Sequence, residues 1–274
     1  MKIQFVPTKN LIVKSNLPAS DYVINPFTGC SHRCRYCYAS FMKRFTGHTE
    51  EWGTFVDIKE CPNIKIPRNL KDKTILISSV TDPYQAVEKK FGMTRKILSQ
   101  LKDTTGNIEI LTKSHLVTRD IDLFLHFSKI RIGISMNTLD DNFRRDIEPG
   151  ASSVKQRLDT LKVLSTHGIS TYLFISPIFP EITDIRALIT EVRPYVEEIC
   201  FENLNLRGSQ LHWILSYIKE KYPAFLPLYH EIYYEHNNTY WENLSREITN
   251  LQQYYPIKFT NYFYHKELQK KGNK

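Results

Sequence analysis

The stretch Cys30-Ser31-His32-Arg33-Cys34-Arg35-Tyr36-Cys37-Tyr38 holds three of the five cysteines of the chain, with three and then two residues between them. Thiolates are soft ligands that select zinc, copper or iron–sulfur centres, and three of them on one short loop can hold the corner of a cluster. A structural zinc site needs four protein ligands, and a ferredoxin-type cluster needs four cysteines. No fourth cysteine stands at a matching spacing. The loop therefore indicates a [4Fe–4S] cluster with one iron open to a ligand from outside the protein.

The cysteine spacing, with the aromatic Tyr36 before the last cysteine, resembles the motif of the radical S-adenosylmethionine (radical SAM) superfamily. Three further features are similar to the branch of that superfamily related to spore photoproduct lyase, namely Asn25-Pro26-Phe27-Thr28-Gly29, the pair Tyr36 and Tyr38, and Thr81-Asp82-Pro83-Tyr84-Gln85. The resemblance covers roughly residues 20–206. Two other interpretations of the loop remain: a zinc knuckle completed by His32, and a group of reduced thiols without a metal.

The resemblance implies a function and two cofactors. In this superfamily three cysteines, here Cys30, Cys34 and Cys37, hold the [4Fe–4S] cluster, and the open iron binds the amino and carboxylate groups of SAM. The reduced cluster cleaves SAM to methionine and a 5′-deoxyadenosyl radical, which abstracts hydrogen from a substrate. We therefore expect a radical SAM enzyme that acts on an unidentified substrate and receives electrons from a reductant such as flavodoxin or ferredoxin. The alternatives are a non-catalytic iron–sulfur protein for electron transfer or sensing and, less favoured, a DNA photoproduct lyase.

The resemblance also implies which residues bind SAM. The main chain around Tyr36 would contact adenine, and Ser79 and Thr81 would face the amino group. Lys113 would pair with the carboxylate, and Ser135 would reach the ribose. Each of these roles has a simpler structural alternative; for example, Thr81 could belong only to a turn, and Lys113 could be a surface lysine after a strand.

Three residues are candidates for hydrogen transfer. Tyr36 and Tyr38 match tyrosines that are implicated in a hydrogen-atom relay in the lyase, although they could equally shield the cluster from solvent. Cys61 is a candidate hydrogen donor, because a thiol S–H bond is weaker than most C–H bonds. The simpler interpretation makes Cys61 a small packed residue, as free cysteines usually are.

Other polar residues near these motifs are expected to be structural. His32 and His115 are interpreted as hydrogen-bonded or solvated loop residues. Arg144, Arg145 and Glu148 precede Pro149-Gly150 and are interpreted as a structural ion pair.

The composition limits the class of protein. With 41% hydrophobic and 24% charged residues among 274, the chain is typical of a globular protein. The longest apolar runs are strand-sized and the N-terminus lacks a secretory signal, so we expect no membrane span. An odd number of cysteines, three of them clustered, indicates a reducing cytoplasm. The net charge of +8 suits a polyanion such as a nucleic acid, but the basic residues are scattered, which favours a generally solvated surface.

The pattern of elements predicts an α/β fold. From residue 74 onward, short β-branched runs alternate with helical stretches, which is typical of βαβ units and a parallel sheet. Six units predict a partial (β/α)6 barrel of the TIM type, because a closed barrel of eight strands needs about 250 residues for the barrel alone. The predicted strands cover residues 21–24, 74–79, 108–112, 130–136, 171–176 and 199–204.

The expected organisation is an irregular N-terminal lead-in (residues 1–20), a radical SAM core (21–206), and the last barrel helix with a C-terminal helical cap packed on the core (207–274). Capping boxes are predicted at Ser153 with Gln156 and at Thr239 with Glu242. Functional groups in parallel α/β folds gather where strands end. Polar residues at the predicted strand ends are Ser78, Ser79, Thr81, Asp82, Lys113, Ser114, Ser135, Asn137, Thr138, Ser176, Glu202, Asn203 and Asn205.

Overall fold

The computed structural model describes residues 1–206 and 208–263. Its strands are β1 (Lys2–Pro7), β2 (Ile12–Lys14), β3 (Tyr22–Ile24), β4 (Phe27–Thr28), β5 (Phe55–Glu60), β6 (Thr74–Ile77), β7 (Asn107–Thr112), β8 (Ile130–Ser135), β9 (Ser170–Ile178), β10 (Glu198–Asn203) and β11 (Lys258–Asn261). Its α-helices are α1 (Ala86–Phe91), α2 (Met93–Leu101), α3 (Ile121–Phe124), α4 (Asp141–Ile147), α5 (Val154–Thr166), α6 (Ile185–Val192), α7 (Ser209–Lys221), α8 (Leu226–Tyr233) and α9 (Thr239–Leu251). Short 3-10 helices cover Tyr38–Phe45, His115–Asp120, Pro223–Phe225 and Gln252–Tyr254.

The main sheet has eight strands in the order β11-β10-β9-β8-β7-β6-β3-β2. Seven of them, β3 and β6 to β11, pair in parallel with one another, β2 pairs antiparallel with β3, and helices connect the strands from β6 onward. The two edge strands, β2 and β11, do not pair with each other, so the sheet stays open in the part of the chain that is described. The predicted α/β class with a partial barrel is confirmed.

Alternating apolar residues build the core of the parallel strands. In β7, burial alternates along the strand, and Ile108 and Ile110 are almost completely buried. The neighbouring β8 contributes Ile132 and Ile134, and its last four residues are all buried. Each fully buried side chain of this size stabilises the fold by about 1.5–3 kcal/mol. The rigid sheet that results holds the strand ends, and the polar residues that follow them, in place.

One predicted capping box is confirmed and the other is wrong. The Ser153 side chain accepts from the backbone of Gln156, whose side chain accepts in return from Ser153, so α5 begins as predicted. In α9, Thr239 is already the first helical residue and cannot cap the helix. The side chain of Asn237 instead accepts the Thr239 N–H at 2.9 Å.

The expectation that residues 1–20 are irregular is wrong. β1 pairs in parallel with β5, which also pairs with β4, and these three strands form a second small sheet. β2 pairs antiparallel with β3 at the edge of the main sheet. The partner of β1 lies some fifty residues away in the sequence, and local patterns do not show pairing at that distance. The first four residues of β5 are buried.

The C-terminal region is not only helical. After α8 and α9, the strand β11 pairs in parallel with β10 and extends the main sheet. The basic tail at residues 270–274 lies outside the described residues. The division into lead-in, core and cap stays a prediction. Within residues 1–206 and 208–263, no helix combines the length and apolar content that crossing a bilayer requires.

Candidate functional site

The cysteine loop leaves β4 at Gly29 and is anchored to the turn after β6. Gly29 has φ +91°, and a Cβ there would lie 2.3 Å from the Phe55 carbonyl oxygen, so glycine is required for this close approach. The Gly29 carbonyl accepts hydrogen bonds from Thr81 Oγ1 at 2.6 Å and Gln85 Nε2 at 3.2 Å. The Gln85 side chain also accepts the Ser31 N–H at 2.7 Å. The turn after β6 therefore holds the start of the loop.

The segment after α4 holds the other side of the loop. The Arg35 N–H donates to the Ile147 carbonyl and the Gly150 N–H donates to the His32 carbonyl, both at 2.9 Å. A Cβ at Gly150 would lie 2.2 Å from the Ser31 carbonyl oxygen. Any larger residue at position 150 would therefore push the cysteine loop away.

The three cysteines of the loop have free thiols; Cys30 is buried, and Cys34 and Cys37 are half-buried. Burial raises the pKa of all three thiols, because a thiolate loses hydration there. The positive charge of Lys113 acts in the opposite direction at Cys34 and Cys37. Lys113 thus offsets only a small part of the effect of burial at these two thiols.

His32 has a partner of its own. Its side chain is 3% exposed, its Nδ1 lies 3.3 Å from Asp82 Oδ2, and burial lowers its pKa. Asp82 also accepts from Thr112 Oγ1 at 2.7 Å and from the Lys113 N–H at 2.8 Å. His32 thus belongs to a bonded loop network. Within the described ranges, no group of three or more His, Cys, Asp or Glu side chains is placed to hold a single metal ion.

A buried ion pair lies next to Tyr36. The Tyr36 hydroxyl donates to Glu148 Oε1, and Arg157 Nη2 donates to Glu148 Oε2 at 2.5 Å. Glu148 and Arg157 are almost completely buried. Burial alone would raise the pKa of Glu148, but Arg157 and Lys113 outweigh it and hold the pKa below its usual value. Glu148 is therefore an ionised carboxylate that fixes the ring of Tyr36.

Lys113 and Ser135, two residues that the resemblance assigns to SAM binding, lie against this pair. Lys113 Nζ donates to Ser135 Oγ at 2.7 Å and lies 3.9 Å from Glu148 Oε1. It also lies 5.9 Å from the centre of the Tyr36 ring. The structure therefore brings together three of the predicted cofactor-binding residues.

Ser79, Thr81 and Tyr38 also adjoin the loop. The Tyr38 hydroxyl donates to the Ser79 carbonyl, and the Ser79 N–H donates to Asn25 Oδ1 at 2.9 Å. The Thr81 hydroxyl donates to the Gly29 carbonyl at the start of the cysteine loop. These contacts make Ser79 and Thr81 supports of the loop in the structure, and their predicted contact with the SAM amino group stays a prediction.

At the carboxyl ends of the strands, two buried polar side chains lack hydrogen-bond partners within the described part of the chain. They are Ser78, after β6, and Asn137, after β8. Asn137 is completely buried, and neither its side-chain oxygen nor its nitrogen has a partner. Leaving such groups unpaired costs about 1–3 kcal/mol each. Together with the charge of Lys113, they fit a ligand that carries both a carboxylate and several hydrogen-bonding groups.

Cys61 lies away from this site. β5 starts at Phe55, which adjoins Gly29, and Cys61 follows the last residue of β5. At about 3.3 Å per residue, the strand from Phe55 to Cys61 spans roughly 20 Å. The thiol is buried and donates to the Asn63 carbonyl at 3.3 Å. Cys200, in β10, is also buried, and burial raises its pKa to about 12.

The role of Arg157 was not predicted from the sequence. Glu148 was expected to pair with Arg144 or Arg145, but the structure pairs it with Arg157, and Arg144 pairs with Asp141 at 2.8 Å. A signal was present, because Arg157 lies in the buried stripe of α5, three residues after Val154. A charged residue in an apolar stripe needs a buried partner.

Comparison with known proteins gives the following relationships. The family model of the radical SAM superfamily matches residues 24–190. An uncharacterized protein of Methanocaldococcus jannaschii is 40% identical over 219 residues, which cover 80% of this chain and 83% of that protein. Spore photoproduct lyase of Bacillus subtilis is 23% identical over 176 residues, which cover 62% of this chain and 49% of the lyase.

Among solved structures, spore photoproduct lyase complexed with dinucleoside spore photoproduct has a TM-score of 0.57 at 17% identity. The match covers 81% of this chain and 66% of that chain, so the protein spans slightly less than two thirds of the lyase structure. At this identity the likeness shows a shared fold. The matched family region contains the cysteine loop, Lys113, Ser135, Glu148 and Arg157.

Proposed function

Because the chain belongs to the radical SAM superfamily, we propose that Cys30, Cys34 and Cys37 hold a [4Fe–4S] cluster and that the protein uses SAM to abstract hydrogen from a substrate. The bound cluster and SAM together supply reductive cleavage of SAM to methionine and a 5′-deoxyadenosyl radical. The observation that carries the proposal is the placement of three free thiols on a loop held from both sides, near the cation Lys113. The proposal covers the type of reaction, and the substrate is left open.

The residues around the loop fit SAM by their chemistry. Lys113 provides a cation for the carboxylate of SAM, and its contact with Ser135 holds the ammonium group in place. The Ser135 hydroxyl donates to the Ser176 carbonyl at 3.2 Å, so its remaining lone pair is directed to the same area and suits a ribose hydroxyl. Asn137 offers two donors and an acceptor to the polar groups of the ligand.

The two tyrosines receive different proposed roles. The Tyr36 hydroxyl is bonded to a buried carboxylate, which suits a residue that orients the loop and its main chain near adenine. Tyr38 has a side chain that is more than half exposed, and its hydroxyl contacts only the Ser79 carbonyl among the described hydrogen bonds. Tyr38 is therefore the better candidate for a hydrogen-atom relay.

Anaerobic reconstitution with iron and sulfide tests the proposal. The wild-type protein should acquire the brown chromophore and, with dithionite and SAM, should release 5′-deoxyadenosine. Cys34→Ala should lose both properties, because three thiolates are needed to hold the cluster. Cys200→Ala is the matched control, since this buried strand cysteine should keep both.

Other results would contradict the proposal in different ways. A stable cluster that never yields 5′-deoxyadenosine with dithionite would indicate an iron–sulfur protein for electron transfer or sensing. Bound zinc in place of iron, lost in His32→Ala, would support the zinc knuckle.

A further inference from the structure

A group of exposed aromatic and basic side chains lies directly beside the cysteine loop. The 3-10 helix Tyr38–Phe45 begins right after Cys37, and Tyr38, Phe41 and Phe45 are 58%, 43% and 67% exposed. Large contiguous apolar groups at the surface often mark interaction sites. With two exposed arginines they form what we call the basic–aromatic face: Arg35, Tyr38, Phe41, Arg44 and Phe45.

Helix α7 connects the two parts of this face. The Arg35 guanidinium lies 5.1 Å from the centre of the Trp213 ring on α7. One turn earlier on the same helix, Gln210 Nε2 donates to the Cys37 carbonyl at 3.2 Å and also contacts Ser40 Oγ. The loop arginine and the start of the 3-10 helix are thus packed against one support.

The far part of the face is ordered by its own contacts. The Arg44 guanidinium lies 5.4 Å from the Phe41 ring centre and 4.7 Å from the Phe45 ring centre. The two phenylalanine rings meet edge to face, with an interplanar angle of 87°. The face is therefore a packed surface whose charge lies among its rings.

The charge of this segment has one sign. No Asp or Glu occurs between Asp21 and Glu50, whereas Arg33, Arg35, Lys43 and Arg44 all lie in this interval. Glu50 itself is paired with Lys2 at 2.9 Å. Residues 89–102 also combine several basic residues with no Asp or Glu, so what sets the segment between Asp21 and Glu50 apart is that it contains the proposed cluster ligands.

We propose that the basic–aromatic face docks the electron donor of the cluster, a small redox protein with an acidic surface around its redox group. The inference rests on the proposed function, because radical SAM chemistry requires a reductant. The donor loses one electron and the cluster gains one, and no bond forms or breaks in this transfer. Arg35 follows Cys34 and Tyr38 follows Cys37 in the chain, so a donor bound here would lie close to two cluster ligands.

The chemistry of the face suits this kind of partner. Redox encounters are weak and use small interfaces, usually below about 1,200 Å². Opposite charges speed up association and set orientation, and a few apolar side chains provide the centre of the contact. A single-stranded nucleic acid is a poorer fit, because it stacks its bases on open aromatic faces. Here Arg44 lies over the rings of Phe41 and Phe45.

Stopped-flow reduction of the reconstituted protein tests the proposal. The donor is an acidic flavodoxin in its hydroquinone form, and the reference reductant is photoreduced 5-deazariboflavin, which is small and uncharged. The test variant is Arg35→Glu with Arg44→Glu. The matched control is Lys102→Glu with Lys129→Glu, which makes the same charge change at exposed positions near the opposite, amino-terminal end of the strands.

In the test variant, the rate with flavodoxin should fall at least about tenfold at low ionic strength, and the difference should shrink as salt is added. The rate with deazariboflavin should be unchanged, which shows that the cluster is intact. Phe45→Ser should also slow the reduction of the cluster by flavodoxin, and this effect should depend little on salt. The control variant should behave like the wild-type protein.

Equal flavodoxin rates in the test and control variants would overturn the inference. So would tight binding of a single-stranded oligonucleotide that Arg35→Glu with Arg44→Glu abolishes while the flavodoxin rate is kept. If the proposed function itself were wrong, the result would be different: the protein would lack a cluster, or it would not cleave SAM with any reductant.

Discussion

Two groups of charged residues surround buried carboxylates in this protein, and they differ in whether all of their charges and hydrogen-bonding groups are paired within the group. The first group, which we call the helix cluster, consists of Glu88, Arg95, Arg119 and Asp120. In it, Glu88 accepts from the N–H groups of Thr94 and Arg95 and from Arg119 Nη2, at 2.9, 3.2 and 2.7 Å. Asp120 is bonded to both arginines in the same cluster. Every carboxylate there is balanced by donors of its own cluster.

The rim cluster next to the cysteine loop is different. It consists of Tyr36, Lys113, Glu148 and Arg157, and Arg157 already balances Glu148. Lys113 therefore brings a second positive charge to the cluster. Lys113 contacts Ser135, the last residue of β8, and Asn137 follows two residues later with no side-chain hydrogen-bond partner among the described residues. Burial raises the pKa of Glu88, whereas at Glu148 two cations outweigh burial and lower it. Buried charge alone thus does not mark a binding site; our proposal of a SAM site at the rim rests on the additional cation Lys113 and on the bonding capacity that Asn137 leaves unused among the described residues.

The largest effect on stability is expected for Arg157→Met. This change leaves the Glu148 carboxylate buried without its main partner, which should cost about 3–5 kcal/mol in the free energy of unfolding. Urea denaturation of the protein without cofactors measures the loss. A loss below about 1 kcal/mol would mean that Lys113 and Tyr36 can balance Glu148 without Arg157.

Lys113→Met should act on binding and not on folding. Because a charge-assisted hydrogen bond contributes about 1.5–3 kcal/mol, SAM affinity should fall roughly 10- to 100-fold. Anaerobic calorimetric titration of the reconstituted protein measures the affinity, and the chromophore should be unchanged. Lys113→Arg keeps the charge and should recover part of the affinity. If Lys113→Met bound SAM as tightly as the wild type, Lys113 would have no place in the SAM site.

Arg119→Met in the helix cluster provides the contrast. Glu88 would keep two backbone donors and Asp120 would keep Arg95, and Arg119 is partly exposed. We expect a loss of about 1–2 kcal/mol in unfolding free energy, since partly exposed pairs are screened by solvent. SAM affinity should stay at the wild-type value. A large loss of affinity in this variant would remove the distinction between the two clusters.

The rim cluster shows what sequence patterns can and cannot provide. Lys113 and Ser135 end strands whose β-branched runs are recognisable locally, so their common edge follows from parallel pairing. The partner of Glu148 depends on how α5 packs on the sheet. The nearest arginines in sequence, Arg144 and Arg145, were therefore the wrong choice.

The same difference between local patterns and distant contacts explains which features of the fold were predicted wrongly. The capping box at Ser153 depends on four consecutive residues, and it was predicted correctly. The strands β1 and β11 pair with β5 and β10, respectively, which are far away in the sequence. β11 has only four residues, and β1, although as long as β7, is exposed along most of its length and so lacks the buried apolar face that marks a strand in the sequence.

The smallest effect is expected for Cys61, which tests how far the rim cluster extends. Its thiol is packed roughly 20 Å along β5 from the end that adjoins the cysteine loop. Cys61→Ala should therefore change the unfolding free energy by about 1 kcal/mol or less and leave the chromophore and the yield of 5′-deoxyadenosine unchanged. The hydrogen-donor role stays a prediction that only the true substrate can test. Abnormal products in Cys61→Ala, with normal products in Cys200→Ala, would require Cys61 to reach the rim during turnover. Normal products in both would leave Tyr38, or 5′-deoxyadenosine itself, as the source of the returned hydrogen.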